Sequence, residues 1–406
     1  MSAVETARET PRAASLAPLY LANLVCSMGM MGFVATAGPL ADALGLEAWH
    51  IGVSATAGGL GWVLAARAWG GAADRIGRKP VLTFGLAGFA LGYLLLCLAV
   101  QAGAQWGVGA LVALGTIIVA RFGMGLAYAA IPAAGSAIIA DRFAPEARPA
   151  AMGRLGAAQA AGLLFGPALV AAVAGPSPVL PLFLLALLPI LALFFLILRL
   201  AGDKTKAEVP APALSLRDPR LARQVLAALL AMIAIGTAQI VVGFVALDRL
   251  ALSRPDALRV AGLALAAVGV TLIVAQMAIG RLNWSTARLH VLGGMFAAIG
   301  MLAAAFAPTP SLLILSYAFA GFGAGWLLPA ISAAVANAVE AQEQGRGAGA
   351  VSTALGIGAT TGPLVGGVLY DLNALLPLLA AALAMAAASA AGWAATPAKP
   401  QNPVSG

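Results

Sequence analysis

Residues 70–79 read GGAADRIGRK, which places Asp74, Arg75, Arg78 and Lys79 close together in a chain whose charged content is only 9%. Apolar runs flank this cluster at 51–73 and 80–102. At 1.5 Å rise per residue, each is long enough to cross a hydrocarbon core of about 30 Å as a helix. The same alternation of charged cluster and apolar run continues through all 406 residues, which are 62% hydrophobic with a mean hydropathy of +0.96. A soluble domain carries roughly a quarter charged residues to cover its surface. Here the clusters read as loops and the runs as membrane spans. The net charge of +8 does not point to nucleic acid, because the basic residues form no single patch or tail and have no interleaved aromatics.

Reading outward from 70–79, spans fall at 16–40, 51–73, 80–102, 108–139, 147–174 and 178–199. A second set falls at 224–247, 257–282, 288–307, 311–338, 347–370 and 374–396. The expected fold is an all-α membrane protein of twelve transmembrane helices. Closed barrels, the other way to satisfy backbone polar groups in lipid, would need short alternating strands that these runs do not resemble. Lys and Arg concentrate in the even-numbered connections: Arg75, Arg78 and Lys79; Arg142, Arg148 and Arg154; Lys204, Lys206, Arg217 and Arg220; Arg281 and Arg288; and Arg346. By the positive-inside rule both termini are expected in the cytoplasm, and the chain in an inner membrane. Arg249, Arg254 and Arg259, between spans seven and eight, run against that pattern. Cys26 and Cys97 lie inside spans without metal or redox spacing, so neither a disulfide nor a metal site is expected.

The chain also repeats itself. Gly162, Gly166 and Pro167 in span five have the spacing of Gly358, Gly362 and Pro363 in span eleven, where Gly366 and Gly367 complete GxxxGPxxGG. Gly125 to Pro132 in span four aligns in the same way with Gly321 to Pro329 in span ten. Two pseudo-symmetric six-helix bundles follow: residues 1–201, a cytoplasmic linker at 202–223, and residues 224–406. Internal repeats of this kind are common in transporters.

With the duplication in view, Gly70 to Lys79 resembles the GxxxDRxGRK loop signature of the major facilitator superfamily, in its position between spans two and three as well as its letters. Arg121 with Gly125 is similar to that superfamily's RxxxG motif, and Gly162 to Pro167 to the GxxxGP motif of its drug or metabolite:proton antiporters. The pattern departs at Val170 and Ala171, where paired glycines would stand, and at Gly280 to Asn283, a degraded second copy of the loop signature. The resemblance implies an exporter working by alternating access, with Asp74 facing the start of helix eleven near Gly345 to Gly349 as a conformational latch. Gly70, Arg75, Gly77, Arg78 and Lys79 would belong to that latch, extended toward Asp141. For the three basic residues, topology alone is the competing explanation.

The two glycine–proline motifs are candidates for hinges or sliding surfaces, since glycine lets helices approach and proline frees a backbone carbonyl. Static packing is the alternative. Arg121 must face the protein interior or an aqueous cavity; substrate or coupling contact and structural pairing are both open to it. Every Asp and Glu falls at a span end, in a loop or in a tail, which removes the carboxylate that a lipophilic-cation exporter would use. Asp42, Glu47, His50 and Asp248 are peripheral groups open to proton exchange, with solvated loop groups the favoured alternative. The resemblance places a central cavity between helices one, four, seven and ten, making Asn23, Tyr128, Gln239 and Trp326 the candidate substrate contacts. Gln159 and Gln276 are further polar candidates, and each could instead be a packing group.

The expected partners are a neutral or anionic small molecule, protons and lipid, with a monomeric chain and no cofactor. Proton-coupled uptake of a nutrient or organic acid is the alternative within transport, and a non-transporting membrane sensor the alternative of another class. No HExxH, GxSxG or GxxxxGK[ST] motif occurs, so neither an enzyme nor direct ATP drive is expected.

Overall fold

A computed structural model describes residues 16–144, 147–175, 177, 179–200, 218–340 and 343–393. Among these the regular structure is helical. The first half comprises α1 (Ala17–Leu44), α2 (Ala48–Ile76), α3 (Arg78–Gln105), α4 (Ala110–Tyr128), α5 (Ala130–Arg142), α6 (Arg148–Ala172) and α7 (Val179–Arg199). The second comprises α8 (Ala222–Phe244) with a π-helical turn at Val245–Arg249, α9 (Arg254–Leu282), α10 (Thr286–Ala305), α11 (Pro310–Ala338), α12 (Gln344–Leu372) and α13 (Leu376–Trp393). Because α4 and α5 form one span interrupted at Ala129 and the π-helical turn continues α8, twelve spans result.

Ten of these are long and apolar enough to cross a membrane by length and composition alone. Helix α2 is diluted by glycines, Arg67 and its charged end, and the apolar stretch of α13 is short at Leu376–Gly392. Helix ends lie within a few residues of the expected ones. Residues 201–217, which hold Lys204, Lys206, Arg217 and most of the expected linker, lie outside the described residues, as do 1–15 and 394–406.

The interruption in span four has a local cause. Pro132 has no N–H to give the carbonyl of Tyr128, so the helix breaks at Ala129 and restarts. Its repeat partner Pro329 sits inside a continuous α11. A second break separates α2 from α3 at Gly77, whose φ of 98° lies where only glycine is unstrained.

Each half is packed by the same device. On α6, β-carbons added to Gly162 and Gly166 would each stand 2.4 Å from a carbonyl oxygen of α1, those of Leu24 and Met28. On α12, β-carbons added to Gly358 and Gly362 would each stand 2.7 Å from a carbonyl oxygen of α8, those of Leu229 and Ile233. The repeated motifs therefore close equivalent helix pairs inside each half.

The halves meet along two flanking seams, α2 with α12 and α6 with α9, and where α1 packs on α8 and α9. On each seam the motif proline turns its carbonyl toward a glycine of the other half. A β-carbon on Gly52 would be 2.6 Å from the Pro363 oxygen, and one on Gly262 would be 2.5 Å from the Pro167 oxygen. The two ends of the molecule differ. The far end, away from the start of α1, joins the halves through Asp42 with Arg254 and Asp371 with the start of α2. At the near end the space beside Gly70, Gly71 and Gly345 is empty to 4 Å. Among the described residues, the far end thus carries polar contacts that hold the halves together.

Candidate substrate cavity and its gates

Below the α6–α9 contact lies a cavity of about 350 Å³. Its wall comes from α1, α6, α8, α9, α10, α11 and α13, so most of it belongs to the second half. Four methionines line it: Met31, Met232, Met301 and Met385. Their unbranched thioethers make an adaptable, polarisable surface. The polar lining is Gln159 on α6, Gln239 on α8 and Tyr317 on α11. The Tyr317 hydroxyl already donates to the Ala238 carbonyl at 2.6 Å, so it presents its ring. Neither glutamine amide has a protein partner among the described residues. Among the described residues that line it there is no charged side chain.

Of the expected substrate contacts, Gln239 lines this cavity and the others stand elsewhere. Asn23 donates from Nδ2 to the Leu155 carbonyl at 2.9 Å, fixing α1 to α6. Tyr128 pairs its hydroxyl with Ser27 Oγ at 3.3 Å. Trp326 donates from Nε1 to the Ala275 carbonyl at 3.1 Å and stacks among Trp284, Phe296 and Phe322. Span four supplies none of the lining among the described residues, so the cavity is displaced from the expected place between spans one, four, seven and ten.

Arg121 is 2% exposed and does not reach the cavity. Its guanidinium carbon lies 4.4 Å from the Phe33 ring centroid, Nη1 meets Met30 Sδ at 3.2 Å, and Nε has no partner. Gly58 makes the room: a β-carbon there would be 3.3 Å from Nη2. An aromatic face and a thioether thus surround a cation buried inside the first half.

At the near end, Arg78 is 4% exposed and is held by two acids, Asp74 at 2.5 Å and Asp141 at 3.2 Å. The link from the loop signature to Asp141 is therefore formed, within the first half. Lys79 donates to the Ile197 carbonyl at 3.0 Å and Arg75 is exposed. Asp74, whose resemblance partner is the start of α12, is bonded to Arg78. In the other half Arg220 bridges Asp218 at 2.9 Å and Glu343 at 2.7 Å. Its guanidinium holds both carboxyls below their ordinary range.

Sequence reading passed over Asp371, Tyr370 and Met385. At the far end Asp371 accepts from the Ala48 and Trp49 backbone N–H groups, at 3.1 and 2.8 Å. Tyr370 donates to Asp248 Oδ2 at 2.9 Å. The signal for Asp371 was its place at the end of span eleven, opposite the start of span two.

A membrane-embedded bundle of two repeated halves, joined at one face around an internal cavity, defines a transporter of the major facilitator class. The chain belongs to the Major Facilitator Superfamily, whose model matches residues 19–283 and 256–405. A class D tetracycline resistance protein from Salmonella ordonez is 39% identical over 115 residues, 28% of this chain and 26% of that protein. A triacylglyceride transporter from Mycolicibacterium hassiacum is 35% identical over 108 residues, 27% of this chain and 18% of that one. The chain thus spans about a quarter or less of these relatives. Among solved structures, the nucleoside transporter NupG superposes with a TM-score of 0.73 at 13% identity, covering 93% of this chain and 98% of that one. A bacterial homolog of the human lysosomal transporter Spinster, in an inward-facing and unoccupied conformation, gives 0.70 at 15% identity, covering 93% of both chains. At such identities these two establish the fold.

Proposed function

We propose that this protein is a proton-coupled exporter of neutral small molecules that works by alternating access. The observation that carries the reading is the cavity: apolar and methionine-lined, with free amides at Gln159 and Gln239 on opposite halves and no charged side chain among the described residues of its wall. A ligand bonded to both amides would tie the halves together, so its binding favours one packing of the halves over another. A charged ligand would leave its solvation without a counter-charge there. The buried position of Arg121 removes the main support for an anionic substrate. Partial likeness to a tetracycline resistance protein favours export.

The wider setting is part of the proposal: an inner membrane, cytoplasmic termini, a single-chain unit, and a near end facing the cytoplasm. Purified protein in liposomes containing a pH-sensitive dye tests it. Proton movement on adding neutral lipophilic compounds, weakened in Gln239→Ala, is the expected result. Movement with lipophilic cations alone, unchanged in Gln239→Ala, would refute the substrate assignment. Proton flow in the same direction as the compound would favour the uptake alternative.

A further inference from the structure

Helices α9, α10 and α11 each begin with a local cap, Ser253, Ser285 or Thr309 accepting a backbone N–H of its own helix. Helix α2 has a local capping box between Glu47 and His50 and, in addition, a cap from outside its own half. Its first N–H groups, on Ala48 and Trp49, are satisfied by Asp371 of the other half. Each oxygen of that carboxylate accepts one bond, Oδ1 from Ala48 and Oδ2 from Trp49. Charge-assisted bonds of this kind are stronger than neutral ones, and the helix dipole adds to them.

The two-oxygen grip requires the ionised form. A protonated carboxyl carries a hydroxyl, which donates as well as accepts, and it loses the charge that the α2 N-terminus attracts. We propose that Asp371 is the proton-responsive lock of the far face: ionised, it holds α12 to α2 and keeps the halves together there, and protonated it lets them part. This goes beyond the substrate reading, since it needs only that the far ends can separate.

The charged and titratable neighbours have other bonds. Asp42 of α1 pairs with Arg254 of α9. Glu47 accepts from Trp49 Nε1, and His50 Nδ1 accepts from the Glu47 N–H. Asp248 of the π-helical turn accepts from Tyr370, and Arg249 lies beside that pair. Asp42, Glu47, Asp248 and Asp371 surround a space of about 160 Å³ at this face, which gives aqueous protons a path to the lock. Of these acids, Asp371 is the one whose ionised form satisfies backbone groups of the opposite half. The Asp42–Arg254 pair also crosses, but both its groups are about half exposed, where ion pairs contribute little.

The test uses the full chain in lipid nanodiscs, with Cys26 and Cys97 replaced by Ala and spin labels at Gln105 and Pro308, exposed positions at the far ends of α3 and α10. Near pH 7, Asp371→Asn is expected to raise the ratio of long to short label distances roughly tenfold over the parent. Lowering the pH of the parent well below the ordinary carboxylate range should produce the same lengthening, and Asp371→Asn should respond little further. Asp371→Glu, which keeps the carboxylate, should retain the pH response. Equal distances in Asp371→Asn and parent near pH 7 would overturn the proposal. So would a pH response undiminished in Asp371→Asn, which would move the lock to Asp42, Glu47, Asp248 or His50. If Asp371→Asn does not fold, a parent whose label distance is unchanged between these pH values overturns it alone.

Discussion

Gly38 of α1 lies against Gly243 of α8 so closely that a β-carbon on Gly38 would stand 2.3 Å from the Gly243 carbonyl carbon. This contact crosses from one half to the other, and it leaves no space for a methyl group. Gly38→Ala is therefore expected to destabilise this closed packing by roughly 1–3 kcal/mol, the usual cost of overfilling a packed site. Labels at Gln105 and Pro308 would report it as longer distances at every pH, because the obstruction is steric.

The amides of Gln159 and Gln239 are expected to contribute separately to ligand affinity. Removing one hydrogen bond costs about 1 kcal/mol, or roughly fivefold in KM, so each Ala variant should weaken transport by about that factor. Transport assays over a substrate concentration series check this. Trp326→Phe should leave KM unchanged and lower thermal stability, since its indole N–H serves the Ala275 carbonyl.

Arg78 holds two acids from a nearly inaccessible position, and its removal leaves both without their shared cation. Arg78→Ala should lower stability by about 2 kcal/mol. Asp74→Asn should cost less, because Asp141 still pairs the guanidinium. Thermal unfolding in detergent distinguishes the two variants.

The Asp218–Arg220–Glu343 clamp should respond to acid in a defined sense. Both carboxyls are held below their ordinary values, so the clamp's stabilisation is complete above the unfolded carboxylate range near pH 4. It fades as pH falls through the lower folded values. The difference in Tm between wild type and Arg220→Ala should accordingly be constant around neutrality and vanish in strong acid.

How much of this was legible beforehand depends on the signal involved. The spans were legible because Asp74 to Lys79 and its counterparts interrupt long apolar runs, and the two halves because Gly162 to Pro167 recurs at Gly358 to Pro363. Side-chain direction was not. A membrane helix is apolar on its lipid face and on its packed face alike, so periodicity could not separate Gln239, which lines the cavity, from Asn23 and Trp326, which pack. Arg121 invited a cavity assignment because a charge in lipid demands an explanation; the answer, an aromatic ring and a thioether beside a glycine, has no pattern readable along the chain. The break at Ala129 was half visible, since Pro132 marks it but Pro329 interrupts nothing equivalent.

The proline carbonyls set against Gly52 and Gly262 carry one more consequence. Where side chains interlock, one surface moves past another only by lifting knobs out of holes, and each step changes a rotamer. At these two points the seams touch main chain to main chain. In the alternating-access cycle proposed above, they would work as a matched pair of bearings, one on each flank, letting the halves roll without repacking their interiors.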